Sequence, residues 1–401
     1  MEALSLNLRL LQISGIVEPP SVSKSGWKHV IFSMYMTTAV IIFIPILVGE
    51  LLAFYHFWGD LVVITNNMFT IVGNITFFWE ALYIIVRRGA FNRLVATLQR
   101  MLKDMPRWNL KQQTIAKNSI KRGRRLTWFM VIIVYMVPFS WSIAPLIGML
   151  LPENEEEIQS VPEDEVEDFW KSLISIMWLP LDATKSPVKE IIYTCQFMIF
   201  ILTASYYSSV NTVFVTFIVN LTGQLETLTA TVEDMDQIID QYDDKELHNV
   251  FVDIIRHHQS IIDFSQELNA VMSPLLFFYF FSTQVMMCVM AFQMVLTWGE
   301  QSNFVKFFFG LLCVLAGPFF FCWQGNILTE QSVQAEKAVY NCQWYERSQR
   351  FKKMVLTVIM RGQKPIALTA GSLYVLSLDT FAKMLNSVYY YFAVLKQLHE
   401  E

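Results

Sequence analysis

The sequence predicts an all-α membrane protein with seven transmembrane helices, a cytosolic amino terminus and an extracellular carboxy terminus. Of 401 residues, 54% are hydrophobic and only 16% are charged, whereas a soluble domain carries about a quarter charged residues. Seven apolar stretches, near 30–53, 61–86, 127–150, 190–221, 271–297, 304–328 and 366–395, approach or exceed the ~20 residues a helix needs to cross a bilayer. A spanning helix satisfies its own backbone groups, and these runs are too long and continuous for barrel strands.

The third observation is the charge distribution. If the amino terminus is cytosolic, 24 of the 30 Lys and Arg fall in the inner segments 1–29, 87–126, 222–269 and 329–364. Only Lys171, Lys185, Lys189 and Lys396 fall outside, and Lys306 and Lys383 lie within spans. Cytoplasmic loops carry the basic excess, which sets this orientation. The opposite orientation, that of a G-protein-coupled receptor, would reverse the bias, and Ser387-Val388-Tyr389-Tyr390 is no Asn-Pro-x-x-Tyr.

Taken in order, residues 1–29 form the cytosolic amino-terminal segment, with a short amphipathic helix and a Pro19-Pro20 turn expected on the inner membrane surface. No secretory signal is expected, because Asn7, Arg9 and Gln12 interrupt the first apolar residues. Spans one to six occupy 30–328, and Gly59 closes the tight link between the first two. The basic segment from Arg87 to Arg125 reads as an inner helix touching anionic lipid. The large outer loop 151–189 carries ten acidic residues; a solvated loop is the plainer reading, and concentration of cations near a pore mouth the sharper one.

Between 222 and 269, Leu225, Leu228, Val232, Met235 and Ile239, then Leu247, Phe251, Ile254, His258 and Ile261, step by three and four. Spans four and five therefore continue into the cytosol as a helical hairpin. Residues 329–364 repeat that spacing, giving a cytosolic anchor bundle too small for an enzyme domain. The five cysteines are expected to form no structural disulfide, and His257-His258 to hold no metal, because neighbours on a helix point about 100° apart.

Enzymatic motifs are absent: there is no G-x-x-x-x-G-K-[ST], H-E-x-x-H, paired C-x-x-C or G-x-S-x-G. No catalytic residue, cofactor or metal is expected, nor any nucleic-acid partner. Glu50, near the outer end of span one, is expected to snorkel. Glu80 is expected to pair locally with Arg87, two turns away.

Segment 365–398 holds the last span. Asp379, Lys383, Ser387, Tyr390, Val394 and Gln397 share one face of its helix. An intrahelical Asp379–Lys383 pair with hydroxyls bonded to neighbouring helices would explain that stripe; so would a pore-lining helix contributed to an oligomer, with Val394 as a dewetting constriction. Helical-face reasoning places a small, largely apolar ligand, aromatic rings admitted, in the outer half of spans two to six. The candidate lining is Asn66, Phe69, Gly73, Tyr135, Phe139, Ser142, Cys195, Gln196, Ile199 and Phe292, with Pro138 and Pro145 opening space in span three. Ordinary helix packing is the competing reading of each position.

The carboxy-terminal third carries an ordered set: Phe321-Cys322-Trp323-Gln324-Gly325-Asn326, Ser332, Ala338-Val339-Tyr340, Trp344, Arg361 through Pro365, Ala370-Gly371, Leu378, Thr380-Phe381 and Ser387 to Leu395. These residues resemble the insect odorant receptor family over roughly 318–398. The tail Tyr391 to Leu398 is also similar to the gustatory receptors' Tyr and Gln spacing, which leaves a gustatory-type channel as the alternative. The resemblance implies a ligand-gated, non-selective cation channel of four subunits in the plasma membrane of sensory neurons. It implies last helices lining the pore, with Val394 as gate and Gln397 beside it; if the polar stripe faces that pore, Tyr390 and Lys383 lie along the wall. It implies a subunit anchor that includes Tyr340 and Trp344, and an odorant pocket among spans two to six. It also implies assembly with a shared co-receptor subunit into a heterotetramer. The co-receptor carries a large insertion between spans four and five; the compact link here marks a tuning subunit that binds a volatile small molecule. Rings of Lys383 and Lys396 would repel cations, so a homotetramer is expected to conduct poorly.

Overall fold

The computed structural model describes residues 4–14, 26–103, 109–150, 170, 173–178, 187–237, 239–298 and 301–400. Ten α-helices appear among them: α1 (Ser5–Ile13), α2 (Gly26–His56), α3 (Leu61–Val86), α4 (Arg88–Lys103), α5 (Leu110–Leu150), α6 (Val188–Gln237), α7 (Asp244–Leu296), α8 (Gln301–Asn341), α9 (Gln349–Gly362) and α10 (Leu378–Glu400). A two-stranded hairpin, β1 (Thr369–Ala370) and β2 (Tyr374–Val375), precedes α10. Much of the acidic loop 151–189 and the Pro19-Pro20 turn lie outside the described residues.

The sequence explains where these helices begin. Asp60 follows the φ +109° turn at Gly59 and accepts from the backbone N–H groups of Val62 and Val63, capping α3. Asp243 caps α7 through Lys245 N, and Ser348 caps α9 through Phe351 N. Among the described residues, five helices contain stretches long and apolar enough to cross a membrane, in α3, α5, α6, α7 and α8. The described apolar part of α2 is shorter, Phe43–His56.

α6 is the central post. From Tyr206 to Gln224 nearly every side chain on it is buried, polar residues included, because neighbours cover all its faces. Most of its buried Ser and Thr hydroxyls donate back to carbonyls three or four residues earlier, as Ser209 does to Ser205 and Thr222 to Ile218, while Thr216 donates to the Asn7 side chain. α6 and α7 run past the apolar zone as the expected hairpin, turning at Ile239–Gln241. At that end α9 docks through Phe251 and Phe351, ring centroids 5.0 Å apart, and Lys111 meets Asp234 at 2.9 Å.

Three expectations are corrected, and the packing of α1 is defined. The segment 366–377 is not helical: it forms the hairpin, and the last helix starts at Leu378. Helix α1 is held against the bundle. It packs against α6 with Leu4 and Leu11 buried, and Asn7 donates to Thr127 and Thr212 hydroxyls at 3.2 Å. A buried amide needs such partners, and the α5–α6 groove supplies them. Glu50 does not snorkel: it is 0% exposed and accepts from Asn74 at 2.8 Å and from the Ser175 hydroxyl. Glu80 has no local partner either. It points into the bundle with both oxygens unbonded, while Arg87 faces outward.

Candidate functional site

The helices separate at one level to leave a cavity of about 120 Å³. α3 supplies Phe69, Thr70, Gly73, Asn74, Thr76 and Phe77; α5 supplies Val134, Val137 and Pro138; α6 supplies Phe200, Thr203, Ala204 and Tyr207. Tyr279, Thr283 and Met286 come from α7, and Cys313 and Val314 from α8. On α6 and α7 these positions step by three and four, so each helix offers one continuous face.

Phe69 and Phe200 of the lining are backed by Trp141. Trp141 packs on Phe69 (4.8 Å), Phe200 (5.8 Å) and Phe307 (6.1 Å), and the Lys306 ammonium lies 4.1 Å from its ring centroid. Deeper in, the Tyr207 and Tyr279 hydroxyls stand 2.6 Å apart. One phenol donates to the other, so the second keeps its O–H proton for an acceptor on a ligand. Thr203 and Thr283 spend their protons on backbone carbonyls of their own helices, leaving oxygen lone pairs toward the space. The site therefore suits a small, largely apolar molecule held by one or two hydrogen bonds.

The segment 173–178 covers one end. Ser175 exchanges two hydrogen bonds with Gln196, and Trp178 N donates to Gly49 O at 3.0 Å. Ile174 joins the apolar cluster of Phe69, Val137 and Trp141.

Of the residues chosen from the sequence, Phe69 and Gly73 line this cavity. The others lie elsewhere. Asn66 and Tyr135 are half-buried, Tyr135 sharing a 2.7 Å bond with Ser205. Phe139 points outward, 52% exposed. Ser142 bonds its own helix through Pro138 O, and Gln196 serves the 173–178 segment. Ile199 and Cys195 pack toward α2 at Phe43 and Ile46. Phe292 is buried two turns beyond the cavity level. Tyr207, Tyr279, Thr283, Met286 and Cys313 were missed. Their faces were legible; their depth along the helices was not.

Helix α10 packs through Met384 and Val388, with Phe381, Phe392 and Leu395 partly covered. The stripe turns away: Tyr390 is 70% and Val394 56% exposed, and Lys383 and Gln397 are exposed too. Asp379 and Lys383 form the 2.7 Å i,i+4 pair. Tyr340 is exposed at the end of α8, where its carbonyl accepts from the Trp344 indole at 3.0 Å.

An α-helical bundle with several spans apolar enough to cross a bilayer, and a largely apolar cavity between them, defines a multi-pass membrane protein with room for a small molecule. The 7tm odorant receptor family matches residues 60–389, and the chain belongs to that insect odorant receptor family, which is not enzymatic. It is 28% identical to Odorant receptor 10 of Aedes albopictus over 56% of this chain and 60% of that one. It is 23% identical to Odorant receptor 67c of Drosophila melanogaster over 93% and 90%. The Anopheles gambiae odorant receptor coreceptor is 30% identical over 36% of this chain and 30% of its own length. The solved olfactory receptor OR5 of Machilis hrabei in complex with eugenol shares the fold, with TM-score 0.82, 16% identity, and coverage of 98% and 97%.

Proposed function

We infer that this chain is an odorant-gated, non-selective cation channel subunit that opens together with a co-receptor. One observation carries this reading: a largely apolar cavity with several aromatic rings in its lining shares its bundle with a helix, α10, whose tyrosines, Val394 and Gln397 are turned away from the chain's own core. A single such helix encloses nothing, so several subunits must bring theirs to a common axis. Val394 is the constriction and Gln397 lies beside it, with Tyr390 and Lys383 on the wall. Asp379 offsets the Lys383 charge locally. Tyr340 and Trp344 belong to the anchor between subunits. The basic excess supports a cytosolic amino terminus and extracellular carboxy terminus, and the family points to the plasma membrane of sensory neurons.

The cavity lining favours a small, mainly apolar volatile, aromatic in part, and the eugenol complex of the Machilis receptor is in keeping with that class. Ligand opens the channel only by binding the open arrangement more tightly than the closed one.

Whole-cell recording tests the reading. Cells expressing this chain with an insect co-receptor are expected to pass cation current when exposed to a panel of small aromatic volatiles, and cells expressing it alone are not. Equal currents without the co-receptor would refute the tuning-subunit role. No current in either case, with surface expression verified, would refute the channel.

A further inference from the structure

The short hairpin before α10 is tied to the cavity-bearing helix more tightly than its length requires. Pro274 interrupts the α7 hydrogen-bond ladder, and the hairpin docks beside that break. Gly371 N donates to Ser273 O at 2.9 Å. The Asn269 Oδ1 accepts from the Thr369 N–H at 2.8 Å and from the Thr369 hydroxyl at 3.3 Å, and the Ser273 and Thr369 hydroxyls are 3.3 Å apart. The backbone passes so close that a β-carbon at Gly371, where φ is +62°, would sit 2.6 Å from the Phe277 ring. On the other side, a β-carbon at Gly325 of α8 would sit 2.4 Å from Leu376. The hairpin is therefore clasped between α7 and α8.

Its far end fastens onto α10. The Thr380 hydroxyl donates to Val375 O at 2.7 Å, and Thr380 N donates to the Ser377 hydroxyl at 3.2 Å. Tyr279, on the cavity floor, is six residues along α7 from Ser273 and two from Phe277. The body of α10 also packs directly on α7, with Val388 in the cluster of Met287 and Met290; at its first turn the added tie to α7 runs through the hairpin.

We propose that this hairpin transmits cavity occupancy to α10, with Asn269 as the positioning residue that holds it on α7. The proposal rests on the channel reading above and adds the route from ligand to gate. Interfaces that are packed this closely switch between discrete arrangements rather than deform smoothly.

The test separates binding from opening. Wild type, Asn269→Ala, Asn269→Asp and Thr369→Val are each expressed with the co-receptor, and currents evoked by the same aromatic panel are scaled to surface protein. Binding of the most potent panel member is measured by tryptophan fluorescence on the purified complexes. Asn269→Ala removes both bonds to Thr369 and is expected to lower maximal current about fivefold, the loss worth roughly one hydrogen bond, with half-saturating concentration for binding unchanged. Asn269→Asp keeps the acceptor oxygen and is expected to restore current. Thr369→Val, which keeps the backbone bond, is expected to fall between them. Should Asn269→Ala fail to reach the surface, the Thr369→Val and Asn269→Asp currents decide alone. Asn269→Ala and Thr369→Val currents equal to wild type, an Asn269→Asp current as low as that of Asn269→Ala, or binding lost in step with current would overturn the coupling. A wild-type complex that never conducts would instead overturn the channel reading.

Discussion

Gly317 of α8 lies directly against the Tyr279 hydroxyl: a β-carbon at 317 would come within 1.8 Å of that oxygen and 3.0 Å of the Tyr207 hydroxyl. The absent side chain is what allows the two phenols to meet at 2.6 Å.

Gly317→Ala is therefore expected to force the tyrosine pair apart and to shrink the cavity. Overpacking of this kind costs roughly 1–3 kcal/mol. A lowered midpoint in thermal unfolding of the purified complex, together with loss of volatile-evoked current, checks it; an unchanged midpoint would mean that Tyr279 moves freely.

Tyr207→Phe and Tyr279→Phe each leave a single hydroxyl facing the cavity. A ligand carrying a hydrogen-bond acceptor is expected to bind about three- to tenfold more weakly to at least one of them, as suits the loss of one neutral hydrogen bond. Hydrocarbon ligands of the same size are expected to be unaffected. Dose–response curves for matched pairs, an aromatic ether and its alkylbenzene analogue, distinguish these outcomes.

At Gly73 the position tolerates a side chain, since the nearest atom to an added β-carbon is the Met286 Cε at 3.6 Å. Gly73→Ala is expected to fold normally and to place its methyl group in the cavity. Sensitivity should shift from larger to smaller volatiles, read as a reversal of rank order across a chain-length series. A uniform loss across the series would argue that α3 itself has been disturbed.

Val394 is 56% exposed in the single chain, on the stripe that α10 turns away from its bundle. Removing the constricting methyl groups with Val394→Ala is expected to wet the closed pore and raise current in the absence of ligand. A resting current identical to wild type in the same co-receptor background would remove Val394 from the gate.

Several elements were legible before any tertiary contact was known. The step-by-three-and-four pattern from Leu225 to Ile261 identified the hairpin of α6 and α7, because a helix that leaves the apolar zone must still bury a stripe. The outward stripe on α10 was readable for the same reason. Glu50 and Glu80 were misread because a sequence gives the neighbours along a helix and not those across it. Asn74 and Ser175, which satisfy Glu50, lie 24 and 125 residues away. The segment 366–377 was read as helix from its apolar content, yet its chain direction is set by Ser273, Asn269 and Ser332, none of them local.

The sequence alone determined that the chain is a multi-pass helical bundle, which faces of its helices are apolar and which family it resembles, since all of these follow from hydropathy, periodicity and local order. Only the tertiary structure decided how deep the cavity lies, that Tyr207 and Tyr279 meet within it, and that a hairpin joins α7 to α10. Periodicity fixes rotation about a helix axis. Height along that axis depends on where neighbouring helices diverge, and divergence is settled by residues such as Gly317, Pro274 and Trp141 and the partners they meet far away in the chain.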